Sequence, residues 1–138
     1  MSKLIAYLTF SGNCREAMSF YQECLGGELY FQTVGDVPMT ENLPTCMKAW
    51  ILHSSLQRSD MVLMGTDMVG EQGLIRGNAI SILIECSNEK EMRNYYEMLS
   101  EGGQSTYPIE QTFWGALFGG LIDKYGNSWL LRCNCGRS

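Results

Sequence analysis

"SGNCREAMSFYQECLGGELYFQTVG", Ser11 to Gly35, is the stretch from which the fold follows. Asn13 and, three residues on, Glu16 have the spacing of a capping box, which satisfies free N–H groups at a helix start. Cys14, Ala17, Met18, Tyr21, Cys24 and Leu25 then recur at helical spacing and form an apolar stripe. Gly26 and Gly27 supply a left-handed stop. "KLIAYLTF" before the helix and "ELYFQTVG" after it read as strands.

The chain then repeats itself. "NAISILIECSNEKEMRNYYEMLSEGGQSTYPI", Asn78 to Ile109, gives a strand over Ala79–Cys86, then Asn88 and Glu91 as a second capping box. Met92, Tyr95, Tyr96 and Leu99 form the stripe, and Gly102-Gly103 ends it. Asn13 to Asn88, Glu16 to Glu91 and Phe20-Tyr21 to Tyr95-Tyr96 are each separated by 75 residues. Each copy continues with more strand. In the first, "CMKAWILHSS" and "DMVLMGTD" flank a turn; in the second, "WGALFGGLID" and "NSWLLRC" flank "KYGN". "GDVPMTENLPT", with two prolines, reads as an irregular loop suited to a lid.

The predicted fold is therefore α+β: two βαβββ modules, residues 1–67 and 78–138, joined by a linker at 68–77 within one structural domain. A four-stranded sheet with one helix has a helix on only one face, so the other face needs a partner. Two curved mixed sheets that pair their uncovered faces enclose a ligand-sized cleft.

Composition narrows the function. The chain has 138 residues, 45% apolar and 18% charged, which is ordinary globular material. Its net charge is −5 and its ten basic residues form no run, which argues against nucleic-acid binding. No apolar run approaches the roughly 20 residues of a membrane span, and the N-terminus lacks a secretory h-region, so a cytoplasmic location is expected. Of six cysteines, Cys14, Cys24 and Cys86 fall on apolar faces and read as buried free thiols. The pair Cys133 and Cys135 reads as part of a frayed tail, with metal binding or redox activity as the alternative.

At this level the chain resembles the vicinal oxygen chelate superfamily, which includes glyoxalase I, the bleomycin-resistance proteins and the extradiol dioxygenases. "YLTFSGNCREAMSFYQECLGGEL" and "EQTFWGALFGGLIDKYGNSW" look like its PhnB-like branch, which carries the label 3-demethylubiquinone methyltransferase-like. The resemblance implies a homodimer. It also implies one metal ligand on the first and last strand of each module, His or Glu as a rule. Carried over here, those positions fall at Ile5 or Ala6, at Leu63 or Met64, at Ser81 and at Leu130, none of them a ligand for a divalent metal. Lys48 and Trp50, in "KAWI", stand where the branch carries a histidine and an acid on the third strand. No metal site and no cofactor are expected, although a divalent metal held by other residues stays open. The methyltransferase label finds no strand–glycine loop–helix cofactor motif to support it.

Alternation places Leu8, Phe10, Ile82, Ile84 and Cys86 beneath the helices, and Tyr7, Thr9, Ser81, Leu83 and Glu85 on the cleft side. The candidate catalytic residues are Tyr7, Glu85 and Lys48. Tyr7 is either a proton or hydrogen-bond donor or a rim aromatic, and Glu85 either a base in an apolar cleft or a solvated carboxylate. Lys48 either neutralises an anionic substrate or is an exposed strand residue. The candidate ligand-binding set is Tyr7, Thr9, Trp50, Met64, Ser81, Trp114 and Phe118. Trp50, Trp114 and Phe118 read as an aromatic wall for flat or cationic ligands, or as core or dimer packing. Met61, Met64 and Met68 are adaptable lining or core filler. His53 reads as a surface residue at a strand end. Gly115, Gly119 and Gly120 allow a bent strand or close approach.

These readings favour a small-molecule-binding protein without the usual metal site and without nucleic-acid or membrane partners. A glyoxalase- or lyase-type enzyme, metal-assisted or not, and a structural or regulatory dimer with a filled cleft are the alternatives.

Overall fold

The computed structural model describes residues 2–36, 48–70 and 73–134. The chain divides into two compact units, Met1–Ile75 and Arg76–Ser138. The first contains β1 (Ala6–Thr9), α1 (Cys14–Leu25), β2 (Glu28–Thr33), β3 (Ile51–Arg58) and β4 (Met61–Thr66). The second contains β5 (Ile82–Glu85), α2 (Glu89–Ser100), β6 (Gln104–Gln111), β7 (Leu117–Ile122) and β8 (Ser128–Cys133). Each is the expected βαβββ module, and the α+β assignment holds.

Each unit holds one four-stranded mixed sheet, ordered β1-β4-β3-β2 in the first and β5-β8-β7-β6 in the second. The helix carries the chain from one edge strand to the other, and two antiparallel hairpin steps return it. The last strand therefore lies parallel to the first: β1 on β4, β5 on β8. Among the described residues no helix is long and apolar enough to cross a membrane.

The helical stripe of α1 is the expected one: Cys14, Ala17, Met18, Tyr21, Cys24 and Leu25 are all buried. Gly65 of β4 lets this helix approach closely, since a Cβ there would stand 3.2 Å from Phe10 and 3.3 Å from the sulfurs of Cys14 and Met18. In α2, Met92, Tyr95 and Leu99 are buried. Tyr96 instead keeps its hydroxyl at the edge of the sheet, 3.0 Å from the Gly120 carbonyl and 2.9 Å from that of Tyr107. Those bonds reach over the irregular part of the β6–β7 ladder, where the register shifts on both sides of Tyr107.

The two helix starts differ. Asn88 caps α2 as expected, its side chain accepting from the Glu91 N–H at 2.8 Å, while Glu91 accepts from the Ser87 N–H at 3.0 Å. Asn13 makes no capping bond. The carboxylate of Asp67, just past β4, takes that role and accepts from the N–H groups of Gly12 and Cys14, both at 2.9 Å. Its other oxygen accepts from the Ile51 N–H at 2.8 Å. A buried carboxylate with three backbone donors wins over a solvent-facing amide because its charge strengthens each bond in a dry site.

Three further expectations are corrected. β3 begins at Ile51, so Lys48 and Trp50 precede the strand instead of lying on it. β7 begins at Leu117, so Trp114 belongs to the β6–β7 turn. Cys133 is no frayed end: it is fully buried as the last residue of β8 and is disulfide-bonded. Cys14, Cys24 and Cys86 are free and buried, as read. Most of the expected lid segment, together with Cys46 and Cys135, lies outside the described residues.

Candidate functional site

Among the described residues, one face of each sheet packs on the helix of its module and no helix packs on the other. Strand register decides which residues share the helix-free face. In the first sheet one row runs Tyr7, Met64, Ser55, Tyr30 across β1, β4, β3 and β2. Tyr7 and Tyr30 are more than half exposed, at 55% and 58%. Thr9 lies two residues along β1, opposite Thr66. The Thr66 hydroxyl donates to the Leu52 carbonyl at 2.8 Å and so is committed to the backbone. His53 is the third residue of β3, and its ring centroid lies 6.5 Å from that of Tyr7. It belongs to the strand rather than to a strand end, beside a candidate residue.

In the second sheet one row runs Leu83, Leu130, Gly120, Tyr107. A Cβ at Gly120 would meet Tyr107 at 2.9 Å and Leu130 at 3.0 Å, so the missing side chain is replaced by its two neighbours. The adjacent row runs Glu85, Arg132, Phe118, Glu110. Arg132 donates through Nε to Glu85 Oε1 at 2.9 Å, and its Nη2 pairs with the same oxygen. Glu85 is thus in an exposed ion pair, not in the apolar enclosure that a buried base would need. The Glu85 bonds hold the Arg132 pKa above its ordinary value. Ser81 lies just ahead of β5 and shares a 2.8 Å hydrogen bond with Ser128.

The structure brings some candidates together and disperses others. Tyr7 and Met64 are register neighbours, with Thr9 on the same face. Trp50 packs at the β1–α1 turn, where a Cβ on Gly12 would stand 3.7 Å from its Nε1. Lys48 lies against Gly35, with its Cβ 3.1 Å from where a Gly35 Cβ would be. Of the expected wall of Trp50, Trp114 and Phe118, Trp50 belongs to the first unit and the other two lie on different elements of the second. Phe118 lies in the sheet, whereas Trp114 sits on a turn, edge-on to Phe113 with ring centroids 4.8 Å apart. That turn is clasped by Thr112, whose hydroxyl donates to the Ala116 carbonyl at 2.8 Å.

Sequence reading missed Ser55, Tyr30 and above all Arg132. Their signal is register: Arg132 becomes a candidate only once β8 is aligned beside β5, which sets it against Glu85. The positions to which the superfamily pattern assigns metal ligands do not make a donor set for a divalent cation. Met64 and Leu130 are apolar, and Ser81 is paired with Ser128. Among the described residues no three His, Cys, Asp or Glu side chains are grouped to hold a metal.

The model of the family described as 3-demethylubiquinone-9 3-methyltransferase matches residues 2–132. A Pseudomonas aeruginosa protein, PA1353, is 33% identical, with a TM-score of 0.83 over 96% of this chain and 98% of that one. Protein YjdN of Escherichia coli K12 is 26% identical over 93% of this chain and 92% of its own. A Bacillus cereus PhnB protein, described as a putative 3-demethylubiquinone-9 3-methyltransferase, shares the fold at 24% identity and a TM-score of 0.74, over 96% and 99% of the two chains. Structures described as glyoxalase-related or as glyoxalase/bleomycin resistance protein/dioxygenase enzymes share the fold at lower identity. The sequence repeat, the two βαβββ modules and the match along nearly the whole chain lead to one assignment: this protein belongs to the family described as 3-demethylubiquinone-9 3-methyltransferase, and it shares the fold of structures described as glyoxalase/bleomycin resistance protein/dioxygenase.

Proposed function

We propose that this protein binds a small organic molecule on the helix-free faces of its sheets and does so without the superfamily's metal, as a cytoplasmic homodimer. The observation that carries this reading is the composition of those faces. Tyr7, Tyr30, Leu83 and Tyr107, each at least half exposed, alternate with hydroxyl, imidazole and guanidinium groups. Exposed aromatic and aliphatic area beside a few fixed polar groups is what a ligand surface needs. The donor chemistry at the pattern positions favours the metal-free form, because sulfur and aliphatic carbon do not serve a hard cation. A methyltransferase role draws no support from these sheets. Among the described residues each has one parallel strand pair, unlike the doubly wound parallel sheets whose glycine turns bind nucleotide-type cofactors.

The test is a thermal-shift screen of a chemically diverse ligand panel against the purified protein. A ligand at 100 times its dissociation constant should stabilise the fold by roughly 2.7 kcal/mol. Substituting Tyr7 or Leu83 by Ala should reduce the shift while leaving the unliganded melting temperature nearly unchanged, because both are exposed. A panel that shifts nothing, or shifts that survive both substitutions, counts against the proposal.

A further inference from the structure

Arg132 is held in place by more than an exposed arginine needs. Nε and Nη2 both bond to one Glu85 oxygen, so that edge of the planar guanidinium is used. The opposite edge, formed by Nη1 and the second N–H of Nη2, has no hydrogen-bond partner among the described residues. Both side chains stay in solvent, at 41% and 49% exposure, where an ion pair adds little to stability. The pair is better explained by what it presents: two parallel N–H groups at a fixed place, the geometry that matches a planar oxyanion.

The surroundings define the rest of the ligand. The neighbouring row, Leu83, Leu130 and Tyr107 over Gly120, is apolar and lies two residues along the strands, about 7 Å away. Phe118 is the register neighbour of Arg132 on β7. The charges in the row are one cation, Arg132, and two carboxylates, Glu85 and Glu110. A dianion would be repelled by that balance, whereas a single negative charge spread over two oxygens matches the free edge.

We infer that Arg132 anchors a site for small monocarboxylates with an apolar or aromatic body. The carboxylate takes the Nη1/Nη2 edge, the body lies on Leu83, Leu130 and Tyr107, and Glu85 is a positioning residue. The inference rests on the small-molecule reading above and names its ligand class.

The experiment titrates benzoate, phenylacetate and octanoate, their primary amides, and phenyl phosphate into the full chain, followed by calorimetry and by backbone amide NMR. The carboxylates should bind about tenfold tighter than their amides, the scale of one charge-assisted hydrogen bond. They should also bind tighter than phenyl phosphate and shift the amide signals of Leu83, Gly120 and Arg132. Arg132→Gln should remove the carboxylate preference while keeping the amide affinity, which also shows that the variant is folded. Glu85→Gln should narrow the preference for carboxylate over phosphate, a change that a purely structural role would not produce. Equal affinity for carboxylate and amide, or an unchanged preference in Arg132→Gln, overturns the inference and leaves the small-molecule reading standing. If no probe binds the wild-type protein, the inference is overturned, and the small-molecule reading is decided by the diverse panel above.

Discussion

Asp67 is only 1% exposed, yet three backbone N–H groups from two places in the chain end on its carboxylate. It ties the start of α1 and the start of β3 to the end of β4. Asp67→Asn replaces one acceptor oxygen by a donor facing an N–H group and should cost about 1.5–3 kcal/mol in chemical denaturation. An unchanged midpoint would show that the three donors find other partners. The buried thiols act in the opposite sense, by staying neutral. Burial pushes Cys14 up to about 11, with the Ser54 hydrogen bond acting to lower it. Burial, then the Glu91 and Glu85 charges, push Cys86 up to about 12. Both folded values lie above the ordinary 9.0, so their contribution to stability is complete below 9.0 and is lost as pH rises toward 11 and 12. The melting temperature should therefore fall with pH above 9.0, and Cys14→Ala should flatten part of that slope. At about pH 8, thiol alkylation mapped by peptide should leave Cys14 and Cys86 unmodified until the chain is unfolded.

At the scale of elements, the two helix starts show how far local sequence carries. Both have Asn followed by Glu at capping-box spacing, and only Asn88 uses it. Asn88→Ala should destabilise by about 1 kcal/mol and Asn13→Ala by less than about 0.5 kcal/mol, a difference readable in urea unfolding. Equal losses would contradict the assignment of Asp67 as the cap of α1. The double glycines, by contrast, were read correctly as helix ends, and the structure adds why the second of each pair must be glycine. A Cβ on Gly27 would stand 2.7 Å from the Gln57 carbonyl oxygen, and one on Gly103 2.2 Å from that of Ile122. The backbone itself is the obstacle, so Gly103→Ala has to displace the β6–β7 edge. The helices, the order of elements along the chain and most of the burial stripes are legible because they follow from periodicity within short windows. Asp67 was not, because its partners lie 16 to 55 residues away and nothing local marks them.

For the molecule as a whole, the family and its two modules are legible from the sequence, but the proposed ligand face only in part. Tyr7, Thr9, Leu83 and Glu85 follow from simple alternation along β1 and β5. Arg132 and Ser55 require knowing which strand lies beside which, and Trp114 was placed on a strand because its glycine-bounded turn looks like strand sequence. The metal-free proposal requires the fold to stand alone: exhaustive chelation should leave the melting temperature unchanged, and elemental analysis should find divalent ion well below one per chain. Stoichiometric metal, or a melting temperature lowered by chelator, would sink the metal-free proposal. The three tryptophans also occupy three unlike places. Trp129 is 1% exposed and donates to Asp123 at 2.7 Å, Trp114 is 54% exposed, and Trp50 lies over Gly12 in the first unit. The molecule therefore carries its own spectroscopic labels. Trp50 reports on Met1–Ile75 and Trp129 on the interior of Arg76–Ser138, while Trp114 should emit at longer wavelength and be quenched first by iodide. Single-tryptophan variants can follow the two repeats separately during unfolding, with no dye attached.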